Sequence, residues 1–266
     1  MTSGESRKAS FQSAHIAYEI AGASDSPAVV LLHPAFADRR IFEHQIKAFS
    51  ERYRVIAIDM PGHGDTSTKG TRVTLKDAPA IIESILLENG IGECHLIGVS
   101  LGGLVAQAFA DRYPERVRSV TVVGGYSIHR PSDKIKKAQR REALKWLFYI
   151  AFSMRKFKSY VLSVSCFTKQ GRSLFERGIR RFERKSFAAM SGIDRLFRSK
   201  DTAVAYPLFI MAGEHDLPLA LETAEEWHAV EPNSELDVIA GAGHCANADK
   251  PEAFNERMLT FLLNVR

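Results

Sequence analysis

Between residues 14 and 123 the chain repeats one unit, a short apolar run rich in β-branched residues followed by a longer stretch of helical spacing. Residues 14–20 alternate apolar and polar side chains, as a strand with one covered face does, and 28–32 form the continuous apolar run of a strand buried on both faces. Helical period covers 41–52, strand returns at 53–58, and an amphipathic helix over 75–88 is stopped by Asn89-Gly90. Strand at 94–99, helix at 101–113 and strand at 118–123 complete the series. A connection long enough to hold a helix brings the next strand in parallel to the last. The expected fold class is therefore α/β, a doubly wound and mostly parallel sheet with helices on both faces.

The repeat breaks at Gly124-Gly125 and resumes near Tyr206, with strand at 207–211, helix at 219–230, strand at 235–239 and a closing helix at 251–263. The residues between are helical in pattern and read as an insertion standing over one end of the sheet, which divides the chain into a core, 1–128 with 201–266, and a helical subdomain, 129–200. Charge separates the same two parts. Residues 130–200 hold 20 Lys or Arg against 5 Asp or Glu, a net of +15, and since the whole chain has 36 and 31, the remainder has 16 against 26, a net of −10.

With 266 residues, 45% of them hydrophobic and 25% charged, the chain has the composition of an ordinary globular protein and can bury about 70–75% of the surface exposed by its unfolded form. Neither metal nor disulfide is needed to hold such a core. Cys94, Cys166 and Cys245 are odd in number, far apart and without a C-x-x-C pair, so neither a zinc site nor a disulfide framework is expected, and a reducing cytoplasm is the natural compartment. Residues 1–10 are polar and basic with no apolar stretch behind them, unlike a secretory leader, and no uncharged apolar run is long enough to span a bilayer.

In open α/β sheets ligands gather at the carboxyl ends of the strands. There the strand at 94–99 runs through Gly98-Val99-Ser100-Leu101-Gly102-Gly103 straight into a helix. Alone, a G-x-S-x-G match arises by chance in roughly one chain in ten of this length; between strand and helix it marks a sharp turn that lifts a serine hydroxyl clear of the sheet. The turn also aims the Leu101 amide, at a helix N-terminus, toward any oxyanion formed there. A nucleophilic serine needs a base, and the base needs an orienting carboxylate. Both follow at later strand ends, in Ala212-Gly213-Glu214-His215-Asp216 and in Ala240-Gly241-Ala242-Gly243-His244. The expected triad is Ser100, Asp216 and His244, with a surface-turn aspartate before Leu217-Pro218 as the plainer reading of Asp216. His215 reads as a neighbour and the other histidines as structural or solvated. A second oxyanion donor should follow the strand ending at Leu32, where His33-Pro34-Ala35-Phe36 stands; proline has no N–H, so the candidate is the Ala35 amide.

These residues, with Leu31-Leu32-His33 and the stretch from Asp59 through Pro61-Gly62-His63-Gly64 to Ser67, resemble the α/β-hydrolase fold superfamily over nearly the whole chain. The resemblance implies Ser100 as nucleophile, His244 as base, Asp216 as acid, the Ala35 and Leu101 amides as oxyanion hole, and the 130–200 segment as a helical cap. It implies a structural part for 59–67, with His63 near the site at most. Serine at the nucleophile position argues against dehalogenase and epoxide-hydrolase chemistry. One departure is His33-Pro34, where most relatives carry His-Gly.

Within the cap, residues 146–152 are apolar all round the helix, so Trp146, Phe148, Phe152, Met154 and Phe157, with Phe36 from the core, are candidate walls of an acyl or aromatic pocket; plain packing of cap on body is the alternative. The basic runs around Lys156 and Arg181 offer a peripheral contact to anionic lipid or are simply solvated faces. No module that reads nucleic acid is present. The expected activity is cofactor-independent and metal-free hydrolysis of a small ester, thioester or lactone by Ser100. A C–C bond hydrolase on the same triad, or a ligand receptor with slow turnover, are the rival readings.

Overall fold

The structure, a computed structural model, describes residues 4–265. Residues 1–3 of the polar N-terminal stretch lie outside them. The described residues build an eight-stranded sheet in the order β1-β2-β4-β3-β5-β6-β7-β8. Its members are β1 (Glu5–Phe11), β2 (Ala14–Ala21), β3 (Ala28–Leu32), β4 (Arg54–Ile58), β5 (Cys94–Val99), β6 (Val117–Val123), β7 (Leu208–Gly213) and β8 (Ser234–Ile239). The pairs from β4 through β8 are parallel, and β1 and β2 join antiparallel at one end. Strands β3 and β5 are buried at every position, which is why they read as unbroken apolar runs.

The strand that sequence periodicity does not announce is β1. It lies at the sheet's edge, where five of its seven positions are exposed, so it carries no alternation of apolar residues to betray it. Its pairing with β2 is full, from Glu5 opposite Ile20 to Phe11 opposite Ala14.

The core helices are α1 (Glu43–Phe49), α2 (Ala78–Glu88) and α3 (Leu101–Arg112), followed after β6 by α4 (Asp133–Phe152), α5 (Met154–Ser165), α6 (Lys169–Ile179) and the short α7 (Ser186–Ala189). Helix α8 (Pro218–His228) links β7 to β8, and α9 (Ala246–Asp249) and α10 (Pro251–Asn264) close the chain. Leaving β6 and returning to β7, the chain runs side by side with itself: the Arg198 amide donates to Ile128 O at 3.3 Å and that of Lys200 to His129 O at 3.1 Å. Between these stems stand α4 to α7.

The helix that carries 146–152 does not run on to Phe157. At Ser153 the backbone becomes extended (φ −168°, ψ 119°) and its hydroxyl accepts from the Lys156 amide, ending α4 and capping α5.

Chain order reverses between β3 and β5, since β4 is added on one side of β3 and β5 on the other. Loops leaving two such strands diverge to opposite faces and open a crevice at their carboxyl ends. Ala35 follows β3 and Ser100 follows β5.

Candidate active site

Ser100 sits at φ +51° and ψ −111°, a conformation costly for a residue with a Cβ, and its amide donates to Val123 O at 2.7 Å, continuing the β5–β6 ladder into the turn. Glycine is forced on both sides by close approach of backbones. A Cβ on Gly98 would strike the Gly102 backbone, and one on Gly102 would strike Leu32 O at the end of β3. That second approach is what draws the start of α3, with the Leu101 amide, against the loop that carries Ala35.

The Ala35 loop is held by two buried histidines, His33 and His63, whose partners the sequence does not reveal, although the family resemblance implies a structural part for 59–67. His33 Nε2 accepts from the Met60 amide at 3.0 Å, and His63 Nε2 accepts from the Phe36 amide at 3.1 Å. With Nε2 accepting, each ring donates from Nδ1 to a carbonyl, Pro34 O at 2.8 Å and Pro61 O at 3.1 Å. Burial lowers the pKa of both, His63 well below its ordinary value because His33 adds to the effect. The adjoining turn is fixed by Asp59, whose carboxylate accepts from the Arg39 amide and guanidinium and from the Asp65 amide.

Pro34 makes no cis bond among the described residues, and the left-handed residue of this loop is Phe36, at φ +70°. Its amide is taken by His63 and is not free for an oxyanion. The ring stands edge-on to Trp146, Phe157 and Phe182 at 5.0–5.1 Å, packing that outweighs a backbone cost of about 1–2 kcal/mol.

At the other strand ends, His244 Nδ1 donates to Asp216 Oδ1 at 2.8 Å, and the Leu217 amide donates to the same oxygen at 2.7 Å. Asp216 Oδ2 is buried without a partner, so its charge is left to act on the imidazole. Burial disfavours the imidazolium, but the Asp216 carboxylate, by charge and hydrogen bond, outweighs it and holds the His244 pKa above its ordinary value. Glu214, the other carboxylate of that loop, is exposed and accepts from the Gly241 amide, while His215 stacks on Phe167 at 3.8 Å.

Gly124 and Gly125 stand between these groups and the serine turn. A Cβ on Gly124, at φ +59°, would lie 2.8 Å from His244 Nδ1 and 3.0 Å from Asp216 Oδ2, and one on Gly125 would lie 3.7 Å from Ser100 O. The pair that marks the end of the sheet pattern in sequence is thus also the gap that admits the histidine and aspartate. Among the described residues the Ser100 hydroxyl is not hydrogen-bonded to His244; such bonds commonly tighten only when substrate is bound.

Asp249 ties the His244 loop to the inserted helices. Its carboxylate accepts from the amides of Gly243, Phe167 and Thr168 at 2.8 Å each and from the Thr168 hydroxyl.

Two expected pocket walls are corrected. Phe148 and Phe152 are 61% and 70% exposed, on the side of α4 that faces away from the body. An apolar run all round a helix does not say which side meets the core, and here Trp146, Tyr149 and Ile150 take the inner side. Phe157 is fully buried and Met154 partly so. A cleft of about 680 Å³ between the 62–74 loop and residues 181–189 touches none of Ser100, Asp216 and His244.

A family model described as alpha/beta hydrolase fold matches residues 27–251. The chain belongs to the alpha/beta hydrolase fold family. It is a hydrolase of that family, and the relatives it resembles carry several hydrolase names. It is 27% identical to human epoxide hydrolase 4 over 92% of this chain and 75% of that protein, and 24% identical to the carboxylesterase YbfK of Bacillus subtilis over 91% and 82%. A solved thermophilic esterase of Thermogutta terrifontis superposes with a TM-score of 0.83 at 21% identity, over 98% of this chain and 99% of that one, a likeness of fold. Among the described residues no helix is long and apolar enough to cross a membrane.

Proposed function

We propose that the protein is a serine hydrolase that cleaves a small carboxylic ester, thioester or lactone through an acyl-enzyme on Ser100, with helices α4 to α7 as its cap. The carrying observation is the 2.8 Å bond from His244 to a buried, otherwise under-used Asp216 at the same end of the sheet as the strained Ser100 turn. Asp216 fixes the tautomer in which Nδ1 is protonated, leaving Nε2 of His244 free to take the Ser100 proton. The serine oxygen then attacks the carbonyl carbon, and the Ala35 and Leu101 amides receive the negative charge on the carbonyl oxygen. As the tetrahedral species collapses, His244 returns the proton to the leaving alcohol or thiol; water, deprotonated by the same imidazole, then releases the acid. Trp146 and Met154, half-buried on the inner side of the cap, are assigned to the acyl pocket, with Phe36 and Phe157 packed behind them.

The test is a series of p-nitrophenyl esters from acetate to laurate, with wild type beside Ser100→Ala. Serine-dependent turnover with a chain-length optimum is the expected result. Equal rates from both proteins, or none from either at any length, would reject it.

A further inference from the structure

Helix α4 leaves one face without a partner. Leu144, Leu147, Phe148 and Phe152, spaced i, i+3, i+4 and i+8, are 68%, 64%, 61% and 70% exposed, and of the helix's 20 residues only Ile135 is fully buried. Earlier on that same face the sequence turns cationic. Lys137, Arg140 and Arg141, and then Arg155 and Lys156 at the start of α5, are exposed and make no ion pair among the described residues. Glu142, the one carboxylate between 134 and 156, is engaged by Lys145 and the Tyr160 hydroxyl. A large apolar stripe bracketed by unpaired cations suits a plane that is greasy within and negative at its surface.

We propose that this face of α4 docks on a bilayer carrying anionic headgroups, with Leu144, Leu147, Phe148 and Phe152 entering the acyl boundary and the flanking Lys and Arg meeting the headgroup charge. Charge decides between occupants. A second copy of the chain would set two such cationic clusters face to face, whereas an anionic lipid surface neutralises them, at short range and in a salt-dependent way. The opposite side of the same turns carries Trp146, 5.1 Å from the Phe36 ring, so the docked face lies about one helix diameter, ~10 Å, from the loop of Ala35.

The experiment is flotation of the full chain with phosphatidylcholine vesicles, alone and with phosphatidylglycerol, which needs no turnover and so stands apart from the hydrolase reading. The protein should float with the anionic vesicles, sediment with the neutral ones, and be released by added salt. Leu144→Gln/Leu147→Gln and, separately, Arg140→Glu/Arg141→Glu should each weaken binding by about tenfold or more, with thermal unfolding as the check that each is folded. Failure of the wild type to float with anionic vesicles, or flotation of both folded variants as well as wild type, would overturn the proposal. So would capture by an acidic protein without any vesicle binding.

Discussion

Helices α3 and α4 both show plainly in the hydrophobic pattern, yet the molecule uses them in opposite ways. Of the 12 residues of α3, nine are buried, and its first turn is pressed so close to the end of β3 that only glycine fits at 102. Of the 20 residues of α4, one is buried, and four large apolar side chains face outward. A helix wedged against a sheet has its rotation fixed by backbone contact, so its sequence and its place determine each other. A helix resting on a cluster of side chains has its inner face chosen by whichever residues pack best, here Trp146, Tyr149 and Ile150. Close backbone contact fixes α3 in place, whereas α4 keeps an apolar surface that nothing in the fold covers.

The comparison breaks most sharply at the serine. Ser100→Ala should cut kcat by roughly 10^5-fold or more, read by initial ester hydrolysis, because it removes the attacking atom. If the rate survives, the α3 turn is only structural. Asp216→Asn should cost about 10^4-fold and also move the pH profile. In the wild type His244 must be neutral to accept a proton, and its pKa is raised, so kcat/KM should climb with pH through a midpoint above about 6.5. Without the Asp216 charge, burial acts unopposed and that midpoint should fall. An unmoved midpoint would show that the carboxylate does not govern the imidazole.

Within helices α4 to α7, Phe157→Ala should destabilise by about 3–5 kcal/mol in denaturant unfolding, since the ring is fully buried against Phe36 and Phe187. Gly124→Ala should lower kcat by about 10^2-fold, as the new methyl group pushes on His244 and Asp216. A rate within a factor of two of wild type would mean that the loop has room to give. The smallest effect belongs to the outer face of α4. Phe152→Ala should change stability by no more than about 0.5 kcal/mol, so the gap between positions 157 and 152 measures how one-sided the helix is.

Much of the core was legible because each of its elements obeys a single constraint. Strands covered on both faces must be apolar throughout, and helices lying on them must be apolar on one side. The turn at Ser100 must have glycine two places before and after. The pieces that escaped answer to other rules. Strand β1 is held by backbone hydrogen bonds at an exposed edge and needs no side-chain pattern. His33 and His63 act through amides 27 residues away in sequence, a pairing that no local motif contains. The break at Ser153 is a capping serine inside a run whose composition would let the helix continue.

By itself, then, the sequence determined the layered α/β fold and the residues at the carboxyl ends of its strands, since burial and turn geometry act on neighbours along the chain. Only the tertiary structure decided whether Asp216 meets His244 or merely ends a surface turn, how a loop with Pro34 is pinned without glycine, and which side of α4 looks outward. Each of those depends on groups brought together from distant parts of the chain, where the winner is set by the packing and charge of the finished fold.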